Sequence, residues 1–521
     1  MTLKRPELPE LQDLAAKIKK ANVYEVAVES PLDFVPSLSE KLGNKIYLKR
    51  EDLQSVFSFK LRGAYNKISQ LSEQERQAGI IAASAGNHAQ GVALAAQRLN
   101  ISSTIVMPKT TPRIKVESVA SYGSKIVLHG NTYDDACAHA YKLAEKEQLV
   151  FIHPYDDIDV ICGQGTIAIE ILHQMEALQA SAKQQPIDAI FVPVGGGGLI
   201  AGVSAYVKSV NPDIKIIGVE AEDSACLHAA MQAGERVELE QVGIFADGVA
   251  VRKVGEQTFE IAKHCVDEVV LATTDEICAA VKDIFDDTRS IAEPAGALAV
   301  AGMKRYVSDH ETSGKTYIAI DSGANMNFDR LRHISERAEL GEHREALIAV
   351  TIPEKPGSFR QFCETIGTRG ITEFNYRYSQ PEQAHVFVGV QMQSGVHEKD
   401  ELMAKLTSQD YPVLDMTDNE MAKLHIRYMV GGRVEGVKNE RLYRFEFPER
   451  PGALLRFLNK MGQQWNISLF HYRNHGAAYG RVLVGMQVPD GDEQQFKVFL
   501  DEIGYRYWDE SSNPAYSLFL N

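Results

Sequence analysis

Short apolar segments alternate with amphipathic segments of helix length from about residue 30 to residue 325. Helical stretches such as Asp134–Glu147 and Gly165–Ala180 separate the apolar runs. This order predicts β-α-β units and a largely parallel sheet with helices on both faces. The predicted strands are Ile46–Leu48, Gly79–Ala83, Ser103–Met107, Lys125–Leu128, Val150–Ile152, Ala189–Val194, Lys215–Val219 and Thr316–Ile320. Ligands of such sheets bind where strands end and loops lead into helices.

The last third of the chain repeats itself. The segment Val350–Gly357 matches Phe445–Gly452, and Pro353 and Pro448 lie 95 positions apart. Each copy has the pattern of a strand, a Pro-Gly turn, a helix and two strands. Two copies are too few for a solenoid, so we predict a tandem pair of small α+β modules at 346–420 and 441–515. The densely charged segment 329–345 before them resembles an exposed helix or neck.

Composition narrows the class of protein. The net charge of −15 argues against nucleic acid or an anionic membrane as the main partner. No apolar run reaches the roughly 18 residues that a membrane span needs. The first residues lack an apolar signal segment, so we expect a cytoplasmic enzyme. The six cysteines form no CxxC pair and have no zinc-type spacing, so no metal site is predicted.

Lys60 is the first candidate for chemistry. It lies in the run Ser-Phe-Lys-Leu-Arg-Gly-Ala, just ahead of a helix-like stretch and between Phe59 and Leu61. Partial desolvation by these apolar neighbours would lower the pKa of the amine and make it a better nucleophile. A solvated surface lysine is the ordinary alternative.

A glycine-rich segment ends one strand and begins a helix. In Pro193–Leu199, Gly195, Gly196, Gly197 and Gly198 allow backbone N–H groups to converge on an anion at the helix N-terminus. The alternative to an anion site is a flexible turn, although ordering four glycines in a compact unit costs conformational entropy.

The same segment also fits a dinucleotide fingerprint. Gly196, Gly198 and Ala201 have the required spacing, and Glu220 ends the next strand where a ribose-binding carboxylate would lie. A nicotinamide-dependent oxidoreductase is therefore a second hypothesis, although it gives no role to Lys60.

Two further segments follow predicted strands. The run from Ser84 to Gly91, Ser-Ala-Gly-Asn-His-Ala-Gln-Gly, could be a helix N-cap or could present backbone N–H groups to a carboxylate. The run Asp321–Asn325, Asp-Ser-Gly-Ala-Asn, supplies a short hydroxyl at another strand end.

These four motifs, in this order, resemble the pyridoxal-phosphate enzymes of the tryptophan-synthase-β fold. Within them the chain resembles the threonine dehydratase (threonine ammonia-lyase) branch. The resemblance implies a fold type II catalytic domain over 1–328, made of two parallel-sheet subdomains with the small one at about 51–155. It implies that 329–345 connects this domain to an ACT-like regulatory pair.

The resemblance also implies roles for individual residues. Lys60 would carry pyridoxal 5'-phosphate as a Schiff base and act as the base toward Cα. Asn87 would hydrogen-bond the phenolic oxygen of the cofactor, and Ser322 would meet its pyridine nitrogen. The residues of the phosphate loop would be Gly195, Gly196, Gly197, Gly198 and Leu199, and those that receive the substrate carboxylate would be Ser84, Ala85, Gly86, Asn87 and His88.

The implied reaction is β-elimination from L-threonine to 2-oxobutyrate and ammonia, with some activity on L-serine. Serine racemases of this fold carry a second serine where this sequence has Ala85, which argues against racemisation. A neutral hydroxyl at Ser322 should leave the pyridine nitrogen unprotonated and favour elimination over transamination.

The C-terminal repeat implies regulation. The turns Pro356-Gly357 and Pro451-Gly452 resemble the ligand loops of ACT-type amino-acid-binding modules. A tandem pair resembles the biosynthetic, feedback-controlled threonine dehydratases, which implies inhibition by isoleucine, relief by valine and a homotetramer. The modules could instead serve assembly alone. Aromatic positions such as Tyr376 and Tyr472 are as readily core as effector contacts.

Overall fold

The structure is a computed structural model that describes residues 8–182, 186–243, 245–432, 434, 436–448, 453–462, 464–473, 479–514, 516 and 520. The chain forms two compact units, Met1–Gly341 and Glu342–Asn521. None of the described helices combines the length and the apolar character that crossing a bilayer requires.

The first unit contains two sheets. Its strands are β1 (Leu32–Phe34), β2 (Lys45–Arg50), β3 (Ile80–Ala83), β4 (Ser103–Met107), β5 (Lys125–Leu128), β6 (Val150–Phe151), β7 (Ala189–Pro193), β8 (Lys215–Ala221), β9 (Glu268–Ala272) and β10 (Thr316–Asp321). The six-stranded sheet has the order β1-β2-β10-β7-β8-β9, and the four-stranded sheet has the order β5-β4-β3-β6. Every pairing is parallel except that of β1 with β2. The predicted pair of parallel sheets is confirmed.

Helices cover both sheets. They are α1 (Leu8–Lys19), α2 (Pro36–Leu42), α3 (Lys60–Ser69), α4 (Glu73–Ala78), α5 (Asn87–Leu99), α6 (Arg113–Ala120), α7 (Tyr133–Glu147), α8 (Ile158–Ala182), α9 (Gly198–Val210), α10 (Cys226–Ala233), α11 (Glu256–Cys265), α12 (Thr274–Thr288), α13 (Pro294–Asp309) and α14 (Arg330–Gly341). Strand β7 is buried along its whole length, as expected of a central parallel strand with helices on both faces.

The charged segment predicted as an exposed helix or neck is helix α14, and one of its faces is buried. Ile334, Ala338 and Leu340 are inaccessible to solvent, and the Arg337 guanidinium forms an ion pair with Asp275 of α12. The charge density indicated exposure, but the apolar residues recur at helical spacing and pack within the first unit.

The second unit is one antiparallel sheet of eight strands with the order β14-β11-β13-β12-β16-β17-β15-β18. Its strands are β11 (Glu345–Pro353), β12 (Ile371–Arg377), β13 (Gln383–Gln391), β14 (Val413–Asp415), β15 (Glu440–Pro448), β16 (Asn466–Arg473), β17 (Tyr479–Gln487) and β18 (Arg506–Asp509). Its helices are α15 (Ser358–Ile366), α16 (Gly395–Ser408), α17 (Glu420–Leu424), α18 (Ala453–Met461) and α19 (Glu493–Ile503).

The repeat seen in the sequence is a structural repeat. The order β11-α15-β12-β13 recurs as β15-α18-β16-β17, and β12 pairs with β16 to join the two copies into one sheet. The turn at Pro356-Gly357 precedes α15, whereas Pro451-Gly452 lies outside the described residues. The tandem α+β arrangement is thus confirmed.

Candidate active site

The segment before Lys60 lies beside the end of β10. Strands β2 and β10 are parallel neighbours, so both chains leave the sheet at the same edge. Ser58 forms a bridge with Gly323, and the backbone N–H of Phe59 donates to the Ser322 carbonyl at 3.3 Å. Two motifs that are far apart in the sequence therefore meet at the carboxyl edge of the sheet.

The Lys60 amine is partly buried at the first residue of α3. It donates to the Pro154 carbonyl at 3.2 Å and lies 5.2 Å from the centre of the Phe59 ring. Burial lowers the pKa of Lys60 to about 8, and the negative charge of Glu293 partly offsets this effect. About a tenth of the amine is then unprotonated at pH 7, which is enough for it to act as a nucleophile or base.

The glycine segment between β7 and α9 is wedged against neighbours that exclude side chains. A Cβ atom on Gly196 would lie 2.2 Å from the Tyr155 ring, and one on Gly195 would lie 3.0 Å from Val249. Gly197 has a φ of +93°, and its Cβ would lie 2.8 Å from the Thr258 hydroxyl.

The glycine loop is tied to α11 through its Gly196 carbonyl. The Gly196 carbonyl accepts hydrogen bonds from the Thr258 hydroxyl at 2.8 Å and the Gly255 N–H at 3.2 Å. Both donors belong to the start of α11, so this carbonyl points toward α11. The N-terminus of α9, which begins at Gly198 with the buried Leu199 after it, adds its dipole. A glycine loop of this kind at a helix N-terminus fits a phosphate group.

The loop between β3 and α5 borders open space. The Gly86 N–H donates to the Ser84 hydroxyl at 3.2 Å, and a Cβ atom on Gly86 would meet no atom of the described residues within 4 Å. The half-buried Ala85 lies between them. Backbone groups at the start of α5 therefore border a space that a ligand could fill.

His88 lies in the same motif, but its side chain is buried. Its Nε2 lies 2.9 Å from the Ile152 carbonyl, and burial lowers the pKa of His88 to about 3. The imidazole is therefore neutral, and its contact with Ile152 anchors the loop to the protein interior. A substrate could contact only the backbone atoms of His88.

Asn87 is held by two residues for which no role was predicted. Its side-chain N–H donates to Glu293 at 2.6 Å, and its carbonyl oxygen accepts from the Asn325 amide at 2.7 Å. Burial raises the pKa of Glu293 to about 7, and the nearby Asp247 adds to this rise. Asn325 lies within the quoted Asp-Ser-Gly-Ala-Asn motif. The one feature of the sequence that marks Glu293 is its place before Pro294, which indicates the start of a helix but no role in a site.

Ser322 directly follows β10, and its hydroxyl is buried in the same region. The hydroxyl donates to the Ala295 carbonyl at 3.2 Å, near the start of α13. At that length the bond is weak, and a hydroxyl can rotate to face another acceptor.

Glu220 does not serve a ribose. Its carboxylate is fully buried at the end of β8 and accepts the backbone N–H groups of Leu227 and His228 at 2.8 and 2.7 Å. It thus caps α10, and the spacing that suggested a dinucleotide site arises from a structural role.

The four predicted motifs come together through a few contacts. Pro154 accepts from Lys60, and the adjacent Tyr155 packs on the glycine loop. Gly323 lies close to both Ser58 and Glu293. A desolvated amine, an anion-binding loop, an amide and a hydroxyl therefore surround one region, and this set fits an aldehyde cofactor that carries a phosphate.

Comparisons with known proteins identify the families that this chain matches. A family described as pyridoxal-phosphate dependent enzymes matches residues 25–323. A second family, the C-terminal regulatory domain of threonine dehydratase, matches residues 336–426 and 431–520.

Individual relatives match nearly the whole chain. L-threonine dehydratase biosynthetic IlvA of Burkholderia multivorans is 54% identical over 98% of this chain and 99% of its own length. The protein of the same description from Escherichia coli K12 is 50% identical over 98% of each chain. The solved structure of the processed form of threonine deaminase isoform 2 from Solanum lycopersicum is 49% identical, with a TM-score of 0.61, and covers 63% of this chain and 94% of that one.

Proposed function

Because this chain belongs to the pyridoxal-phosphate dependent enzymes and, over nearly its whole length, to the biosynthetic threonine dehydratases, we propose that Lys60 is the residue that binds the cofactor and moves the substrate proton. The protein is a pyridoxal-phosphate-dependent threonine ammonia-lyase. It converts L-threonine to 2-oxobutyrate and ammonia, the step that commits carbon to isoleucine.

The amine of Lys60 is the main support for this proposal. Pyridoxal phosphate, when bound, withdraws electrons from Cα of the amino acid that it holds. An amine with a pKa of about 8 can take the Cα proton at neutral pH, because a useful fraction of it is unprotonated. Loss of this proton together with the β-hydroxyl removes one water from threonine. The released enamine tautomerises to an imine, and one water hydrolyses it to 2-oxobutyrate and ammonia.

The other residues hold the reacting groups in place. The backbone from Gly195 to Leu199 would bind the phosphate, and the Asn87 amide would donate to the phenolic oxygen. The Ser322 hydroxyl would face the pyridine nitrogen without adding charge there, which favours elimination over transamination. The loop from Ser84 to His88 would bind the threonine carboxylate through its backbone N–H groups.

The experiment that tests this proposal compares two lysines of α3. Lys60→Ala should abolish the visible absorbance of the lysine-bound cofactor and lower the rate of threonine deamination by roughly 10³-fold or more. Lys67→Ala is the matched control, because Lys67 is on the same helix and pairs with Asp157 and Asp159 outside the site. A Lys60→Ala protein that keeps the visible band would contradict the assignment.

The regulatory ligands form the second part of the proposal. We place isoleucine, as inhibitor, and valine, as activator, on the second unit. The supporting feature is a narrow cleft between the Pro356-Gly357 turn and the segment Leu458–Ile467. Leu458 and Trp465 give it an apolar wall suited to a branched side chain, and Lys355 and Arg360 bring positive charge for a carboxylate.

Neighbouring contacts are consistent with an amino-acid site. The Nε of Arg360 is buried and has no hydrogen bond to any residue that the structure describes, although Glu364 lies 3.7 Å away. Asn466, which lines the cleft, donates to Glu354 at 2.8 Å, and the buried Tyr376 hydroxyl donates to the same carboxylate. Tyr376 therefore contributes to the core and reaches the rim of the cleft only through Glu354.

A homotetramer in the cytoplasm completes the proposal, on the basis of the family resemblance. Light scattering of the purified protein would measure the number of subunits.

A further inference from the structure

Three side chains form a directed line of hydrogen bonds across the active site. The Asn325 amide N–H groups donate to the Val56 carbonyl and to Asn87 Oδ1, both at 2.7 Å. Asn87 Nδ2 then donates to Glu293 Oε1 at 2.6 Å. The Asn325 amide nitrogen is a donor, so Asn87 Oδ1 must face it and Asn87 Nδ2 faces Glu293. The orientation of the Asn87 amide is thereby fixed.

This line leaves Asn87 with one N–H to offer. An amide has two N–H donors, and Glu293 takes one of them. The remaining N–H has a direction set by the bond to Glu293 and by the bond from Asn325. In the proposed function, on which this inference rests, that N–H reaches the phenolic oxygen of the cofactor.

Glu293 is itself rigidly placed. It is 4% exposed, it precedes Pro294 at the start of α13, and its backbone N–H donates to the Gly323 carbonyl at 3.0 Å. Cβ atoms on Gly323 and Gly248 would lie 2.9 and 3.5 Å from its Oε1. The carboxylate thus occupies a slot between two glycines, next to a helix N-terminus that favours negative charge.

We propose that Glu293 is a positioning residue that sets the direction of the Asn87 hydrogen bond to the phenolic oxygen of pyridoxal phosphate. Glu293 acts through Asn87. Its absence would leave the amide anchored on one side only, by Asn325. A weaker Asn87 bond to the phenolic oxygen would lower the affinity for the cofactor and would move the pH at which its visible band titrates.

The charged groups around Glu293 interact with its carboxyl and would affect any pH midpoint that is measured at this site. They come from every element packed around it and are Lys60 of α3, Lys115 of α6, Asp247, Asp321 of β10 and Arg330 of α14. Lys115 and Arg330 both pair with Asp247, at 3.0 and 3.4 Å. Variants should leave these five residues unchanged.

The test uses the full chain with pyridoxal phosphate added to the apoenzyme. Two quantities are measured for each variant: the dissociation constant of the cofactor and the pH midpoint of its visible band. In Glu293→Ala we expect the dissociation constant to rise roughly tenfold and the midpoint to move by about half a pH unit or more. In Glu293→Gln the amide oxygen can still accept from Asn87, so the dissociation constant should stay within about threefold of wild type.

Glu220→Gln is the matched control. Glu220 is also a fully buried glutamate whose pKa burial raises to about 7, but its partners are the backbone groups of α10. Both cofactor measurements should be unchanged in this variant.

Two results would overturn the proposal. One is a Glu293→Ala enzyme whose affinity and pH midpoint equal those of wild type. The other is equal impairment of Glu293→Ala and Glu293→Gln, which would indicate a role for the charge alone. If Glu293→Ala does not fold, Asn325→Ala removes the other bond to the same amide and must shift both quantities. The proposed function fails separately, through a visible band that survives Lys60→Ala.

Discussion

The motif around Lys60 contains residues with different tasks, and most of them are structural. Arg62 is fully buried and binds Glu51 and Glu170 at 2.8 and 2.6 Å, and Lys49 shares the Glu170 carboxylate. Truncation of one member of such a cluster leaves a buried charge unpaired, at a cost of about 3–5 kcal/mol. The cluster fixes the start of α3 and so presents Lys60 to the site. Among the described residues, no carboxylate forms an ion pair with the Lys60 amine.

The lowered pKa of Lys60 leads to a prediction for cofactor capture. Only the neutral amine attacks the aldehyde, and burial brings the pKa of Lys60 to about 8. We therefore expect the rate at which apoenzyme captures pyridoxal phosphate to rise about tenfold per pH unit below pH 8 and to level off above it. Stopped-flow absorbance between pH 6 and pH 9, roughly the range around that pKa, measures this rate.

Pyridoxine phosphate provides the control for this experiment. It lacks the aldehyde, so its association does not require the neutral amine, and its rate should change little over the same range. A capture rate for pyridoxal phosphate that keeps rising about tenfold per pH unit up to pH 9 would show that Lys60 has the ordinary pKa of a lysine. An equally flat rate would show that attack by the neutral amine does not limit capture.

Among the elements, the helix α8 shows where sequence patterns lose precision. The predicted helical stretch begins at Gly165, whereas the helix of the structure begins at Ile158 and contains both Gly163 and Gly165. A Cβ atom on Gly163 would lie 2.7 Å from the Arg62 carbonyl, and one on Gly202 would lie 2.7 Å from Gly165. These glycines allow α3, α8 and α9 to approach closely, which a linear pattern cannot distinguish from a helix end.

The duplicated elements of the second unit each bury a glutamate at the start of a strand. Glu345 in β11 accepts from the Thr372 hydroxyl and pairs with Arg427, which also pairs with Glu373. Glu440 in β15 accepts from the Ser468 hydroxyl and pairs with Arg377. The bulge that precedes Glu373 in β12 recurs in β16 at the equivalent place. The duplication therefore preserved a polar arrangement as well as a fold.

Glu440→Ala should destabilise the second unit. The Arg377 side chain is 9% exposed, and removal of its partner leaves a buried charge that costs about 3–5 kcal/mol. Both tryptophans of the chain, Trp465 and Trp508, belong to this unit, so tryptophan fluorescence in a denaturant titration reports its unfolding.

Glu446→Ala on the same strand is the control. Its carboxylate lies 3.9 Å from the exposed Arg506, so we expect a change below about 0.5 kcal/mol. If Glu440→Ala unfolds at the same denaturant concentration as Glu446→Ala, the buried pair contributes nothing measurable to the stability of the unit.

For the molecule as a whole, the sequence predicted the class of each part and most of the first-unit strands. Ser103–Met107 and Lys125–Leu128 are confirmed as predicted, whereas β1 and β9 were missed. Glu293 was missed because its partner Asn87 is 206 positions away, and only the strand order brings the two together. Motifs indicate which groups a site contains, and the topology determines which other residues orient them.

Feedback control requires that the two units communicate, and thermodynamic linkage makes that communication measurable in both directions. If isoleucine on the second unit weakens binding at the active site by some factor, a ligand at the active site must weaken isoleucine binding by the same factor. A coupling of about 1–3 kcal/mol corresponds to roughly 5- to 150-fold.

We expect this factor to be the same in two titrations of the full-length holoenzyme. In the first, isoleucine is titrated with and without a saturating unreactive threonine analogue, and Trp465 in the proposed cleft provides the fluorescence signal. In the second, the analogue is titrated with and without isoleucine, and the visible band of the cofactor provides the signal.

Arg360→Ala should weaken isoleucine binding, whereas Arg456→Ala, which removes an exposed charge from α18, should not. Isoleucine that binds with the same affinity in the presence and absence of the analogue, yet still slows turnover, would mean that it acts on a catalytic step and leaves substrate binding unchanged.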